Sequence, residues 1–403
     1  MFIGHYSGQN NDFDTRNFYL AKELVKRGYK VTIVSSAFSH RLKNPELFTQ
    51  NFKVIDDESG ITLVKIKSPY YKGNGLRRLI NMLSFSFNFC RAVDDIVKVV
   101  SKPEHVILSY PHPFQVLPAI KIKKLYGAQL ITDMRDIWPA SVVQLTGSSK
   151  LHPVVLVMQY LEYLCVKHSD RFISPLPNIG TYLYEKFTNN KPVEYLPQVL
   201  DFEMFNSKFT DDTTLRKRFS VCYVGGLTSS NAVEILLKAA KFSELNNNIE
   251  YFIVGSGALE ETLKEEYSQL KNVYFVGHVS KDIAFSYMAK ADLLYRGEPN
   301  LPLYKYGVAP LKLNEYMLSG TPIIQCSDYP EFSLVSTSGC GVTVAYGDVE
   351  GLHEGIVEFS NTPEDKRLAI GERGRKYVLK NNGIKTIVDK LTQLLTNVDR
   401  HSH

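Results

Sequence analysis

Short runs rich in β-branched and aromatic residues alternate with helix-type segments along the whole chain, and this alternation constrains the fold most strongly. Consecutive strands can pair in parallel only when the connecting helix crosses over one face of the sheet. The pattern therefore predicts an α/β protein with parallel sheets wrapped by helices. The series occurs twice, and 403 residues exceed what one hydrophobic core usually supports. We expect two Rossmann-like domains that face each other across a cleft.

The predicted strands fall into two series. The first series lies near residues 2–6, 30–35, 62–67, 105–109, 129–133 and 171–174. The second series lies near residues 220–224, 250–254, 273–276, 292–295, 322–325 and 342–344. A predicted helix over 15–27 ends at Gly28, and 195–212 reads as a linker because it lacks a clear period. These features predict an N-terminal domain over 1–198 and a C-terminal domain over 199–382, and one interpretation returns the final helical stretch, 383–403, to the first domain.

The two halves of the chain differ in charge. Residues 1–200 carry 25 Lys and Arg against 16 Asp and Glu, whereas residues 201–403 carry 22 against 26. A basic first half fits an anionic partner, such as a phosphate-bearing acceptor or a lipid headgroup surface, and equally fits ordinary surface charge. The basic residues do not interleave with aromatic residues, so we expect no nucleic-acid partner.

Location and redox state follow from the apolar runs and the cysteines. The sequence has no uninterrupted apolar run of bilayer length and no signal-peptide pattern at its start, so we expect a cytoplasmic protein. Its five cysteines are scattered without CxxC pairs, which favours buried, reduced thiols.

Glycines follow predicted strands in both halves. Gly8 comes after the first strand, and Gly225 and Gly226 end the first strand of the second series, ahead of Ser230 and Asn231 at the next helix start. Unhindered backbone N–H groups at a helix N-terminus bind anions such as a diphosphate. We therefore expect a phosphate cradle, although a lone glycine such as Gly8 is also compatible with a simple turn.

The densest local signal is the stretch 295–324. Lys312 and Glu315 are three residues apart on a predicted helix that begins near Pro310, so their side chains share one face. A lysine there can neutralise a diphosphate, and a carboxylate can accept two hydrogen bonds from a ribose diol. A surface salt bridge is the alternative interpretation of this pair.

A second concentration of polar residues follows a buried strand in the first half. Asp133, Arg135, Asp136 and Trp138, the one tryptophan, stand within six residues of each other at the predicted strand end. Ligands of parallel α/β sheets bind outside the carboxyl ends of the strands. The cluster therefore predicts either a functional site or a fold-stabilising ion pair.

Six segments spread over nearly the whole chain match a known family. They are TRNFYLAKELVKRGYKVTIVSSAFSH (15–40), TDMRDIWPAS (132–141), SDRFISPLP (169–177), YLPQ (195–198), YVGGL (223–227) and GVAPLKLNEYMLSGTPII (307–324). Together they resemble retaining family 4 glycosyltransferases with the GT-B fold, and within them the bacterial fucosamine-transferase-like branch of O-antigen and capsule synthesis. The resemblance implies transfer of a sugar, of the N-acetylated or 6-deoxy amino class, from a UDP-sugar to a glycan acceptor, with retention of configuration.

The resemblance also implies roles for individual residues. It places the ribose at Glu315 and the base at the turn formed by Gly277, His278 and Val279. It places the acceptor near Asp136 or Asp133, and the prediction adds Arg135, Trp138 and Arg16 to the acceptor-binding residues. No metal or other cofactor is expected, since no DxD motif is evident.

Two departures from the family pattern affect the donor site. Many relatives carry a glutamate that contacts the donor sugar eight residues before the ribose-binding one, where this chain has Gly307. Many also hold the diphosphate with Arg and Lys in the loop after the first donor-domain strand, but GGLTSSNA (225–232) has no cation. Because a departing diphosphate needs compensating positive charge, Arg296 and Lys312 are predicted to supply it.

The segment 75–100 shows two apolar stripes on one predicted helix. One stripe can face the core, while the other needs a second cover. With basic residues between 72 and 78, binding to an anionic inner-leaflet membrane surface through 72–100 is one hypothesis, and it fits a lipid-diphosphate-linked acceptor. Burial under loops or in a dimer interface is the other.

Two functions compete with glycosyl transfer at the level of sequence. A UDP-sugar 2-epimerase shares the two-domain fold and needs no acceptor. A catalytically inactive nucleotide-sugar-binding homologue would fit Gly307 and the uncharged 225–232 loop.

Overall fold

The computed structural model describes residues 1–7, 16–38, 48–73, 75–199, 202, 215, 218–244, 248–309 and 311–396, without the side chain of Leu145. The chain divides into two compact units. The first unit comprises Met1–Val199 and Ile384–His403, and the second comprises Leu200–Gly383.

The strands of the described residues alternate with helices in both units. The strands are β1 (Phe2–Ile3), β2 (Thr32–Ser36), β3 (Phe52–Asp56), β4 (Thr62–Ile66), β5 (His105–Ser109), β6 (Gln129–Asp133), β7 (Arg171–Ser174), β8 (Val193–Tyr195), β9 (Phe219–Val224), β10 (Ile249–Val254), β11 (Val273–Gly277), β12 (Leu293–Gly297), β13 (Ile323–Cys326) and β14 (Gly341–Val344).

The helices connect these strands in sequence. They are α1 (Arg16–Lys26), α2 (Leu76–Val100), α3 (Val116–Tyr126), α4 (Ala140–Thr146), α5 (Pro153–His168), α6 (Ile179–Phe187), α7 (Val233–Phe242), α8 (Glu260–Glu266), α9 (Lys281–Lys290), α10 (Leu311–Ser319), α11 (Leu334–Ser338), α12 (Val349–Asn361), α13 (Glu364–Asn381) and α14 (Ile384–Thr396). None of these helices is long and apolar enough to cross a bilayer, as judged over the described residues.

The first unit is built on one sheet with the strand order β3-β4-β2-β1-β5-β6-β7-β8. All of its neighbouring pairs are parallel except β3 with β4. The chain moves in one direction from β4 through β5 and β6 to β7, and parallel crossovers are right-handed. Helices α2, α3 and α5 therefore cover one face of the sheet, and α1, whose crossover runs the opposite way, covers the other.

The last helix belongs to the core of the first unit. Ile387, Val388 and Leu391 of α14 are fully buried in a cluster with apolar side chains of α1 and of the sheet. At the surface of the same pair of helices, Arg27 and Asp389 form an ion pair with 2.7 Å between nitrogen and oxygen. The first unit thus uses both ends of the chain to cover one face of its sheet.

The second unit contains a parallel sheet, with the described strands in the order β11-β10-β9-β12-β13-β14. One core lies between the sheet and α7, α8 and α12, and the other lies between the sheet and α9, α10 and α11. Strands β9 and β12 pair at the centre, and the chain leaves β9 towards β10 but leaves β12 towards β13, so the direction of the connections reverses between β9 and β12. This reversal creates the kind of crevice in which α/β sheets bind ligands.

Most predicted strands occur within one or two residues of their expected bounds, and β5, β6 and β7 match them at both ends. The first strand is shorter than predicted, because β1 stops at Ile3. Strands β3 and β8 were missed. Strand β3 is an antiparallel edge strand that is only half-buried, so its sequence lacks the apolar signal of an interior strand.

The predicted linker begins too early in the sequence. Leu196 and Val199 are buried in the core of the first unit rather than exposed between domains. Of residues 200–212, only Phe202 lies within the described residues.

Candidate functional site

The strand ends of the second unit meet in two glycine turns. Strand β9 runs into Gly225, whose N–H donates to Val254 O at 2.8 Å, and strand β10 runs into Gly255, which has a φ of +134°. A Cβ at Gly255 would lie 1.9 Å from Gly225 O. The two turns therefore pack backbone against backbone at the carboxyl edge of the sheet, and glycine is required for this contact.

Lys312 reaches this glycine turn from α10. Its ammonium donates to Tyr223 Oη at 3.0 Å and to Asn231 Oδ1 at 3.1 Å, and it lies 4.7 Å from the centre of the Tyr223 ring. A Cβ at Gly225 would be 2.3 Å from the ammonium nitrogen. Both oxygen acceptors are neutral, so these hydrogen bonds position the lysine without neutralising its charge.

The electrostatic setting of Lys312 weakens its proton affinity. Burial, and after it the positive charge of Arg296, lowers the pKa of Lys312 to about 8, while Glu315 acts in the opposite direction. Burial removes the water that would otherwise stabilise the charge of the ammonium. A bound anion would stabilise that charge in place of the water. The predicted role of Lys312 at a diphosphate is therefore compatible with its position.

Asn231 organises the loop that follows the glycines. Its side-chain amide donates to Gly226 O at 2.8 Å and to Thr228 Oγ1 at 3.0 Å, and Thr228 in turn shares a hydrogen bond of 2.9 Å with Ser230 Oγ. Helix α7 begins directly afterwards, at Val233. The sequence predicted donor groups at this helix start, and the structure brings Gly225, Asn231 and Lys312 together there.

Arg296 differs from its predicted role. Its guanidinium is ion-paired with Glu298, and both side chains are almost completely buried at the end of β12. Ser327 donates to the other oxygen of Glu298 at 2.7 Å. Since Glu298 already compensates the charge of Arg296, the arrangement argues against Arg296 as a free cation for a diphosphate. The signal missed in the sequence is the i, i+2 spacing of Arg296 and Glu298, which places both on one face of a strand end.

Glu315 lies one turn after Lys312 and pairs with Lys281, which was not predicted from the sequence as a site residue. The ammonium of Lys281 lies 3.5 Å from Glu315 Oε1. Burial raises the pKa of Glu315, and the charges of Lys281 and Lys312 oppose that rise. Lys281 is the first residue of α9, and Gly277, His278 and Val279 form the turn just before it, so the predicted ribose and base positions lie on connected elements.

In the first unit the predicted acidic residues separate into two groups. Asp133 is completely buried, and its Oδ2 pairs with Arg16 Nε at 3.2 Å and with Arg135 Nε at 3.1 Å. Arg16 also donates to the carbonyl oxygens of Leu196 and Pro197. Asp133 and Arg16 are thus parts of a buried ion-pair network, which argues against the catalytic role predicted for Asp133 and the acceptor contact predicted for Arg16.

Arg135 is the outer member of this network. It is half-buried, and besides its pairing with Asp133 it donates to Asn17 Oδ1 at 3.3 Å and to Ser109 Oγ. Two guanidinium groups thus share one buried carboxylate at the carboxyl edge of the sheet.

Asp136 is exposed, unlike Asp133. Its Oδ1 accepts from the backbone of Ile137 at 2.8 Å and from Ser141 Oγ at 2.5 Å, and its Oδ2 accepts from Trp138 Nε1 at 3.0 Å. These donors fix the carboxylate at the start of α4 while leaving it accessible. Of the two acids predicted for the acceptor, only Asp136 has an accessible carboxylate.

A buried aromatic cluster beside this site was not predicted from the sequence. His112 is completely buried after β5, 4.8 Å from the ring of His5, and burial lowers its pKa well below the usual value. Among the described residues, neither of its ring nitrogens has a hydrogen-bond partner. Gly8, which was predicted to bind the donor, follows β1 in sequence but lies outside the described residues.

Comparisons with known proteins show what the chain is similar to in sequence and fold. A family model described as "Glycosyl transferases group 1" matches residues 218–362. The chitobiosyldiphosphodolichol beta-mannosyltransferase of Kluyveromyces lactis is 23% identical over 94% of this chain and 86% of its own length. The match to the group 1 glycosyl transferase model lies entirely within the second unit.

Solved structures define the fold. Sucrose-phosphate synthase from Thermosynechococcus elongatus superimposes with a TM-score of 0.73 at 16% identity, over 100% of this chain and 99% of that chain. WaaG, a glycosyltransferase of lipopolysaccharide biosynthesis, gives 0.66 at 15% identity over 98% and 99%. HepE from Anabaena in complex with UDP-glucose gives 0.64 at 14% identity over 98% of each chain. The predicted α/β fold of the GT-B class is confirmed.

Proposed function

We propose that this protein is a retaining glycosyltransferase that moves a sugar from a UDP-sugar to a glycan acceptor. The second unit would bind the donor and the first unit would bind the acceptor. The proposal rests on the position of Lys312. Neutral oxygens hold its charged side chain against the Gly225 turn, and it lies one helical turn from Glu315.

The donor assignment follows from the chemistry of this cluster. A UDP-sugar presents a diphosphate, which the Lys312 ammonium and the backbone amides at the start of α7 can bind. Its ribose presents two adjacent hydroxyls, which one carboxylate, that of Glu315, can accept together. HepE was solved in complex with UDP-glucose, which supports the choice of uridine.

The acceptor is proposed to be a lipid-diphosphate-linked glycan of bacterial surface polysaccharide synthesis. The excess of Lys and Arg over Asp and Glu in residues 1–200 would favour an anionic acceptor. The relative from Kluyveromyces lactis carries a diphosphodolichol-linked sugar in its name, which supports a lipid-linked substrate. The site of action would be the cytoplasmic face of the membrane, and the sugar transferred an N-acetylated or 6-deoxy amino sugar.

The proposed reaction breaks the bond between the anomeric carbon and the diphosphate oxygen and forms a bond to the acceptor oxygen on the same face. Lys312 and the α7 amides would stabilise the charge on the departing UDP without a metal ion. Asp136 would orient the acceptor hydroxyl or receive its proton, since its carboxylate is fixed and accessible.

The first experiment measures thermal stabilisation by UDP, UDP-glucose, UDP-N-acetylglucosamine and GDP, with and without EDTA. A ligand that binds only the native state raises the melting temperature. We expect stabilisation by uridine nucleotides that EDTA does not reduce. Stabilisation by GDP alone would refute the donor assignment, and loss of stabilisation with EDTA would refute metal independence.

A second experiment separates the proposed function from its two rivals. The enzyme is incubated with each stabilising UDP-sugar alone, and then with lipid-diphosphate-linked glycans. Transfer to the lipid-linked glycan supports the proposal, whereas an epimerised UDP-sugar formed without acceptor indicates a 2-epimerase. Nucleotide binding without consumption of the donor under both conditions indicates an inactive homologue.

A further inference from the structure

Helices α2 and α5 of the first unit expose rows of large apolar side chains. On α2, Ile80, Leu83 and Phe87 are spaced three and four residues apart, and on α5, Leu156, Tyr160 and Tyr163 are spaced four and three apart. Each of the six residues is 44% to 61% exposed. Such spacing forms a continuous stripe along a helix. We call these six residues the α2–α5 face.

The two stripes lie on the same side of the sheet. Helices α2, α3 and α5 are successive right-handed crossovers, and α3 packs between the other two. The opposite stripe of α2, which includes Phe85, Phe89 and Ile96, is fully buried against the sheet. Both exposed stripes therefore point away from the sheet in the same general direction.

The face lies close to the carboxyl edge of the sheet. Asn81 of α2 shares a hydrogen bond of 2.8 Å with His5, just after β1, and Ser86 Oγ donates to Phe114 O at 2.6 Å, just after β5. The 3-10 turn that contains Phe114 contacts both α2 and α5. Asp136 follows β6 at the same edge, so the apolar face and the candidate acceptor site share one end of the sheet.

Cations border the apolar stripes. Residues 70–92 include Lys72, Arg77, Arg78 and Arg91 and no acidic residue. The guanidinium of Arg91 lies 5.6 Å from the centre of the Phe87 ring. On α5, the ammonium of Lys167 lies 5.8 Å from the centre of the Tyr163 ring. The combination of exposed aromatic side chains with flanking cations is typical of surfaces that bind the interface of an anionic bilayer.

We propose that the α2–α5 face docks on an anionic lipid bilayer, with both helices lying along its surface. The inference deepens the proposed function, because a bilayer at this end of the sheet would present a lipid-linked acceptor to the site near Asp136. It adds α5 to the basic segment 72–100 as a second point of contact. The charge asymmetry and the aromatic residues favour lipid over a second copy of the chain as the occupant.

The test measures binding of the full chain to phosphatidylcholine vesicles with and without phosphatidylglycerol, by flotation. The variants are Phe87→Ser, Tyr160→Ser and their combination, with Phe242→Ser in the second unit as a matched control for an exposed phenylalanine. We expect binding only with phosphatidylglycerol, weakened by salt, and reduced at least about tenfold by the double variant. Phe242→Ser should bind as the parent does.

Two further measurements distinguish a failure of the docking proposal from a failure of the proposed function. Thermal stabilisation by UDP reports the donor site, and it should be the same in the parent and all four variants whether or not vesicles bind. Equal vesicle binding by the parent and the double variant, or no binding by the parent, overturns the docking proposal while leaving the donor assignment intact. A dimer in sedimentation analysis that Tyr160→Ser dissociates would identify a second copy as the occupant and would also overturn it.

Discussion

Lys281 and Glu315 form an ion pair across two helices of the second unit, with 3.5 Å between the ammonium nitrogen and the carboxylate oxygen. Burial alone raises the pKa of Glu315, and Lys281 is the largest influence in the opposite direction. If Glu315 binds the ribose, Lys281 acts as a positioning residue that keeps this carboxylate ionised.

Replacement of Lys281 by Met should therefore shift the pH dependence of UDP binding. Without the cation, the pKa of Glu315 rises further, so the carboxylate is protonated at a higher pH and affinity is lost earlier as the pH falls. Because Lys281 is more than half exposed, we expect a change in Kd of only about two- to fivefold, at the pH values where Glu315 takes up its proton. Calorimetric titration of UDP across the acidic to neutral range measures this shift.

Two variants provide controls for Lys281→Met. Lys281→Arg should retain the parental profile because it retains the charge. Glu315→Gln cannot titrate at this position, so adding Lys281→Met to it should leave the pH profile of its weakened UDP binding unchanged. A Lys281→Met profile superimposable on that of the parent would show that Lys281 does not influence the ribose site.

Lys312 should control the alkaline limit of UDP binding. Its pKa is lowered from the usual value to about 8, so in the free protein the ammonium loses its proton as the pH rises through that value. Affinity for the diphosphate should fall above this pH, where the charge is lost. Lys312→Met should bind UDP about 10- to 100-fold more weakly at neutral pH, as expected for loss of a charge-assisted hydrogen bond. Uridine, which has no phosphate, is the control ligand and should bind both proteins equally.

The close packing of the two glycine turns predicts that alanine substitutions at Gly255 and Gly226 differ in their effect on stability. Gly255→Ala places a Cβ 1.9 Å from Gly225 O at a φ of +134°, so the turns must move apart, and we expect a loss of about 1–3 kcal/mol in the free energy of unfolding. Gly226→Ala meets its nearest atom only at 3.9 Å and should leave stability unchanged. Chemical denaturation measures both, and a Gly255→Ala variant as stable as the parent would contradict the close packing of the turns.

Substitutions of Asp133 and Asp136 should affect different properties: the first should lower the stability of the protein, and the second should slow sugar transfer. Asp133→Asn removes the buried carboxylate that Arg16 and Arg135 share, which should cost about 3–5 kcal/mol of unfolding free energy. Asp136→Asn changes an exposed group, so the protein should melt like the parent but transfer sugar to the acceptor more slowly, with unchanged UDP binding. Melting curves, UDP titrations and transfer rates on the same two proteins decide this. Normal turnover by Asp136→Asn would remove that residue from the reaction.

The sequence predicted those parts of the molecule whose signal is local. Interior strands such as β5 and β6 have an apolar centre flanked by polar residues, and their bounds were correct. The edge strand β3 has one half-exposed face and pairs with a neighbour in an antiparallel hairpin, so it resembles a loop in composition. Asn231 was predicted from its place at a helix start after a strand, and Lys312 from its place beside Glu315 on a predicted helix. Their mutual contact joins residues 81 positions apart.

Ion-pair partners were the part that the sequence could not predict. Whether Asp133 serves catalysis or stability depends on Arg16, 117 positions away, which only the folded sheet brings to it. The same applies to Lys281 and Glu315, which belong to different helices. By contrast, Arg296 and Glu298 are two residues apart on a strand end, and their pairing could have been anticipated from the alternation of side chains along a strand.

The incorporation of α14 into the core of the first unit determines how the chain can be divided. A fragment that stops at Gly383 keeps all of the second unit but removes Ile387, Val388 and Leu391 from beneath α1, so the damage falls on the amino-terminal half. The second unit, in contrast, is one continuous insertion. Excision of Leu200–Gly383 should therefore give an independently folding nucleotide-binding fragment, whereas its counterpart requires both terminal pieces in one polypeptide.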